Sequence, residues 1–410
     1  MRLAQDLFSS PYESIGWILF CATSFQLAFL HPYLVIIPGE RVNLFSGLLC
    51  ALTLAACCFL AKKSNISKKS PEVLISLGLA LLLILSGLFS LTPFSSSLRG
   101  LVVLTSGLGG YWCARLLLVS ESRQRFFLRF SVMLLAGILL LSLMGYAYWG
   151  DVSRFLDKSP HPLESRILIL WLAPLALLLN RWIPGKVIAG LLLGLSYLVF
   201  LLRDIRAVVL IPLLLGLLAA YFRVVRVRYI LLLLVPLLII TINFFHRLPK
   251  EKLGKEYEPT YYRLENYPFS WHLAVKHPFW GIGLRAPREE FFKDYEMKYP
   301  YVTREDFLGS IRHKATSENI FLTFMAEAGF PFVILYLFSL FVLLTRLVHR
   351  VRRPPETSGL PPLALLLPIT GALLHFQVFD GLFFPQVCWF FHILLGLIPK
   401  AGNPQTLGEA

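Results

Sequence analysis

Apolar stretches of roughly 17 to 25 residues recur along this whole chain, the length a helix needs to cross a hydrocarbon layer about 30 Å thick. Few folds accept that pattern, because in lipid every backbone N–H and C=O must find its partner within the structure. The composition agrees. Of 410 residues, 56% are hydrophobic and 15% charged, with a mean hydropathy of +0.67, whereas a soluble protein of this size meets water with a more polar surface. The stretches lie at approximately 15–31, 43–61, 72–92, 99–118, 127–149, 166–180, 187–202, 207–222, 229–244, 318–345, 359–379 and 383–398, with ends placed to within about two to four residues. The expectation is an all-α polytopic membrane protein with about twelve transmembrane helices. The first fourteen residues run straight into the first stretch with no small-residue cleavage site after it, so an uncleaved anchor is expected.

Sidedness follows from Lys and Arg in the short connections. Those on one side, with both termini, hold eighteen, among them Lys62, Lys63, Lys68, Lys69 and Arg346 to Arg353. The opposite connections hold seven: Arg41, Arg99, Arg154, Lys158, Arg166, Arg203 and Arg206. The richer side is assigned to the cytoplasm, which puts both termini there and the long segment 245–317 outside. The expected organisation is nine N-terminal transmembrane helices over 1–244, a large, partly helical extracytoplasmic loop over 245–317, three C-terminal transmembrane helices over 318–398, and a cytoplasmic tail over 399–410. The loop carries thirteen Lys and Arg and ten Asp and Glu, and a loop this long in a compact protein usually has a function. The net charge of +15 gathers at the ends of apolar segments rather than on one soluble face. Membrane topology, not nucleic acid, accounts for it.

Three polar segments could carry chemistry. In LLRDIRAVVL, Arg203, Asp204 and Arg206 lie at the outer junction of two apolar helices, where charge is costly unless it has a partner or a polar cavity. A plain polar turn would also explain Arg203. In YYRLENYPFSWHLAVKHPFWGIGLRAP, Arg263 opens a stretch that reads as an amphipathic helix ending at His277-Pro278, and Gly281 and Gly283 allow positive φ and close backbone approach. In TSENIFLTFMAEAGFPF, Ser317, Glu318 and Asn319 stand where a helix cap belongs. Glu327 lies nearly three turns further on among apolar residues, where a carboxylate is expected to be neutral, paired or functional. Asp380, with His375 and Gln377, ends the penultimate apolar stretch and either faces the same cavity or forms an interfacial turn.

These segments, in this order, resemble the bacterial O-antigen ligase and O-antigen polymerase family. The matching residues are Asp204-Ile205-Arg206-Ala207, then Arg263…Trp271…His277-Pro278…Gly281-Ile282-Gly283, then Glu318-Asn319…Leu322…Glu327-Ala328-Gly329. The resemblance covers roughly residues 190 to 345, and the N-terminal half matches only in hydropathy. It implies a GT-C-like helical bundle in the bacterial inner membrane with its active site facing the periplasm. The implied activity is a metal-independent, cofactor-free inverting transfer of a glycan from undecaprenyl diphosphate to lipid A core or, in a polymerase, to a second lipid-linked glycan. Arg206 and Arg263 match the arginines thought to hold the diphosphate. Glu318 stands where a ligase has histidine, with His313 five residues earlier. The implied catalytic residues are Glu318, Arg206 and Arg263, with Arg203, Asn319, His313, Trp271 and Asp380 at the substrate.

Elementary chemistry fits this picture in part. A diphosphate leaving group gains negative charge, which guanidinium forks bind without being deprotonated. The attacking hydroxyl needs a base, and a partly desolvated carboxylate such as Glu318 serves if its pKa is raised. A transporter or flippase would use buried charges along a path and broken mid-membrane helices. An assembly partner would use the outer loop only for docking. All six cysteines fall in apolar stretches and are expected to be small hydrophobes. No P-loop, HExxH or CxxC is present, and no structural metal is expected.

Overall fold

A computed structural model describes residues 11–29, 35–37, 40–42, 44–63, 70–156, 161–179, 183–202, 206–222, 250–299, 303–313, 318–352 and 360–400. In chain order the helices are α1 Pro11–Phe29, α2 Leu44–Lys63, α3 Pro71–Leu88, α4 Pro93–Leu117, α5 Glu121–Trp149, α6 His161–Leu170, α7 Leu172–Leu179 and α8 Ile183–Leu202. They continue with α9 Arg206–Tyr221, α10 Lys250–Lys276, α11 Arg304–His313, α12 Ile320–Ala328, α13 Phe330–Val351, α14 Pro362–His375 and α15 Pro385–Leu397. The chain is all-α in class, as expected, and carries one short hairpin, β1 Val35–Ile37 and β2 Glu40–Val42, with Ile37 opposite Glu40.

The starts are written locally. Proline, which has no N–H to lose, occupies the first turn of α3, α4, α14 and α15. Ser70 and Ser120 cap α3 and α5 by accepting from Val73 N and Arg123 N. Six helical segments are long and apolar enough to cross a membrane: 71–88, 93–117, 121–149, 162–179, 185–202 and 330–351. Shorter apolar helices lie at 13–29, 45–60, 210–221, 362–375 and 385–397. On α3, Leu74, Leu77, Leu81, Ile84 and Leu88 are exposed at steps of three and four residues, a continuous apolar stripe that lipid, not water, can cover. The structure is that of a helical membrane protein.

Two expected single helices are interrupted. The stretch 166–180 turns at Trp171 between α6 and α7, because Pro174 has no N–H for the carbonyl of Leu170. The stretch 318–345 divides into α12, of nine residues, and α13, of 22. Gly329 marks that break at φ 84°, and a Cβ there would lie 2.3 Å from Phe279 O. The stretch 229–244 lies outside the described residues.

α4 and α15 form the centre, closed at Gly110 and Gly396, where a Cβ would lie 2.4 Å from a backbone oxygen of Trp389 or Tyr111. The segment between α9 and α12 has its own small core, in which Phe269 and Leu273 of α10 meet Ile282, Phe292, Tyr295, Phe307 and Ile311, together with Ala326 of α12. Buried Glu265 accepts from Tyr295 Oη at 2.7 Å, Lys298 N at 2.9 Å and Tyr299 N at 2.8 Å, so the loop is fastened to α10 through a satisfied carboxylate.

The same loop clasps the end of α12. Ile282 N donates to Ala326 O and Gly283 N to Glu327 O, each at 2.9 Å, while Phe330 N donates to Pro278 O at 2.8 Å. Gly281 at φ 67° and Gly283 at φ 97° permit this approach, since a Cβ on Gly281 would sit 2.3 Å from the carbonyl carbon of Glu327. Glu327 is completely buried and accepts from Arg288 Nη2 and Arg285 N, both at 2.8 Å. Arg288, equally buried, also donates to Ser270 Oγ at 2.9 Å.

Glu327→Ala leaves the Arg288 charge buried alone and is expected to cost about 3–5 kcal/mol. The double replacement E327L/R288M is expected to cost less than either single change, read by thermal unfolding in detergent and by protease cleavage within 250–313. A result in which the double variant is the least stable contradicts a structural role for the pair. The outer segment is also expected to loosen in acid. Burial lowers the pKa of His272 and of His277 below the free imidazole value, and Lys276 lowers both further, opposed at His272 by Asp294. Undocked, both rings return to a pKa of about 6.5 and bind protons more readily. The contribution of these two rings is therefore present above about pH 6.5 and is lost progressively as pH falls below it. Protease protection of this segment at about pH 7 is expected to decline by about pH 5.5, and H272Q/H277Q to flatten the decline.

Candidate active site

The site forms along α12, beginning with an unusual backbone. Asn319 caps the helix, its Oδ1 accepting from Leu322 N at 3.1 Å. To enter the cap, Glu318 takes φ 58°, a left-handed conformation that costs a non-glycine residue roughly 1 kcal/mol or more. Asp380 holds it there: one carboxylate oxygen accepts from Glu318 N at 2.9 Å and the other from Thr323 Oγ1 at 2.7 Å.

Across from this turn, Arg263 of α10 pairs through Nε with Glu318 Oε2. Their side chains are 33% and 20% exposed, so the pair is partly desolvated but reachable. Tyr267, one turn along α10, donates to Gln377 O at 3.2 Å, and burial raises its pKa against the opposing effect of Arg263, so the phenol remains a donor. Asn319 Nδ2 donates to Gln377 Oε1 at 3.1 Å.

The segment 377–384 thus runs beside α12 as a ladder. Asn319 meets Gln377, Thr323 meets Asp380, and Phe324 meets Phe383 with ring centroids 5.0 Å apart. At the far end stands Arg285, at φ 52°, its guanidinium carbon 5.7 Å from the rings of both Phe383 and Phe384. Glu327, the nearest acid, is already engaged by Arg288 and by the Arg285 amide. Among the described residues the Arg285 guanidinium has no carboxylate partner. From Glu318 to Glu327 is about 13 Å of helix, with a guanidinium at either end.

The structure brings together Arg263, Glu318, Asn319 and Asp380 of the residues singled out from sequence. Trp271 stands apart, two turns along α10 and half exposed, its ring edge-on to Phe330 at 5.8 Å, an arrangement suited to the membrane interface. Arg206 opens α9, but its side chain lies outside the described residues, as do Arg203 and the side chain of His313 at the end of α11. α9 packs on α14 with Ile211 and Leu215 against Gly371. His375 points away from the ladder, buried between Ser165 Oγ at 2.8 Å and Glu164 Oε2 at 3.5 Å, where it fixes the end of α14 to α6. Glu327 is an anchor rather than a reacting group.

Sequence reasoning missed Thr323, Tyr267 and Arg285 as members of the site. Arg285 follows a Gly-x-Gly turn by two residues, and that proximity was the available signal. Among the described residues no cluster of three or more His, Cys, Asp or Glu could hold a metal ion. A paired arginine and carboxylate, a second carboxylate fixing the first, and a separate guanidinium on aromatic rings can bind an anionic group and accept a proton from a nearby hydroxyl. No protein-family model and no curated protein sequence matches the chain.

Proposed function

We propose that this protein is a membrane glycosyltransferase of the O-antigen ligase type, moving a glycan from undecaprenyl diphosphate to an acceptor hydroxyl on lipid A core. In this reading twelve helices cross the bacterial inner membrane, both termini are cytoplasmic, and the ladder beside α12 faces the periplasm. The observation that carries it is the Arg263–Glu318 pair, reachable from outside, on a strained turn held by Asp380. Strain of this kind gathers at functional sites.

The arrangement supplies the parts of a direct displacement. A donor diphosphate arriving at Arg263 competes with Glu318 for the guanidinium and frees the carboxylate. The acceptor oxygen then attacks the anomeric carbon, its proton passes to Glu318, and the bond from that carbon to the phosphate oxygen breaks with its electron pair on the diphosphate. Arg263, with Arg206 and Arg285, stabilises the departing charge. Attack opposite the leaving group inverts the anomeric centre. The glutamate in place of the ligase histidine favours a polymerase as the second reading, with another lipid-linked glycan as acceptor.

The test is surface glycan made by cells that lack their own enzyme and carry R206A, R263A, R285A, E318Q or D380N, each checked for normal insertion. E318Q is expected to lower transfer by about 10²-fold or more, and R263A by about 10²–10³-fold. Accumulated lipid-linked glycan with bare core identifies a ligase, and core capped by a single repeat identifies a polymerase. Wild-type glycan from every variant excludes the enzymatic reading.

A further inference from the structure

A cavity of about 130 Å³ opens between α3, α4, α13 and α15, with Phe324 of α12 on its lining. Leu79, Leu83, Leu104 and Leu343 contribute to its apolar wall, and Phe324 and Leu382 close one end. The other end is charged. Glu72, at the start of α3, accepts from Arg115 Nε at 3.0 Å and Nη2 at 2.9 Å. Arg346, near the end of α13, reaches Glu72 only at 3.9 Å, with its side chain 52% exposed. That exceeds hydrogen-bond length, and among the described residues the Arg346 guanidinium makes no hydrogen bond. Among the described residues two arginines share one carboxylate, leaving one positive charge in excess at the mouth of the cavity.

We propose that this cavity is a binding site for an anionic phospholipid, one acyl chain lying along the leucine wall and the phosphate meeting Arg346 beside the Glu72–Arg115 pair. The bilayer supplies such a chain at high concentration, and an apolar cavity between membrane helices is stabilised by filling with hydrocarbon rather than water. The excess charge selects the head group. A guanidinium with open N–H donors takes a phosphate in bidentate fashion, and a zwitterionic lipid presents a compensating cation there. The site does not depend on the proposed transfer reaction, and its charged residues, Glu72, Arg115 and Arg346, are not those of the ladder.

The full-length protein in mild detergent is titrated with phosphatidylglycerol and with phosphatidylcholine of the same chains, and retained lipid is counted by native mass spectrometry. Phosphatidylglycerol is expected to be retained about fivefold better, the ratio that corresponds to ~1 kcal/mol for one arginine at an anionic lipid. R346Q, at an exposed position, is expected to remove the preference. S339W, on the cavity wall, is expected to reduce retention of both lipids, while L337W, on the exposed face of α13, leaves both unchanged. Equal retention of the two lipids by the unaltered protein overturns the head-group assignment, as does a preference that survives R346Q. Retention unaffected by S339W overturns the cavity as the site.

Discussion

The buried pair of Glu327 and Arg288 is the interaction on which the seating of residues 263–299 against α12 depends. Neither charge has access to solvent, so each is tolerable only while the other stays in place. Glu327 lies at the end of a nine-residue helix, and Arg288 lies on the far side of a loop that reaches it through two glycines. The ion pair therefore does more than join two residues. It fixes the depth at which the outer segment sits on the bundle, since the backbone bonds of Ile282 and Gly283 to the same turn of α12 form only when the loop is fully seated.

That seating determines what the outer segment presents. α10 packs along α12, so docking one end of the loop at Glu327 sets Arg263 against Glu318 at the other. The carboxylate of Glu318 is aimed by its own backbone, held left-handed by Asp380, and Asp380 in turn begins the turn that carries Phe383 and the platform for Arg285. Each group at the site is thus positioned by another, and the ultimate support is the clasp. Rigid placement of this sort is what a site needs if binding is to act on developing charge rather than on flexible side chains.

The length of the apolar stretches made the helices legible, but not every start, since α4 begins at Pro93, six residues before the apolar stretch at 99–118. The division of α12 from α13 was not legible either, although Gly329 and Pro331 stand together in the sequence. A glycine within an apolar run is compatible with a continuous helix, and only the approach of the Phe279 carbonyl shows why it breaks. Arg263 and Glu318 were readable as candidates because charge next to apolar helices is costly. Their pairing was not readable, since 55 residues separate them and the clasp that brings them together is built from backbone. The roles of Glu327 and His375 were hidden for the same reason. Sequence shows that a buried acid needs a partner, but not that Arg288, on a distant loop, supplies it.

Backbone conformation singles out the same region as the side chains of the candidate site. Of the six described residues with positive φ, five are Gly281, Gly283, Arg285, Glu318 and Gly329, and Gly150 alone lies elsewhere. A membrane bundle tolerates irregular backbone only where protein buries it or where it lines a polar hollow. Three of the five are glycines whose conformation the clasp requires. The other two, Arg285 and Glu318, bear charged side chains, and they stand at opposite ends of the ladder beside α12. A left-handed arginine and a left-handed glutamate, held by Glu327 and Asp380 respectively, are best understood as strain retained for the sake of where those two side chains point.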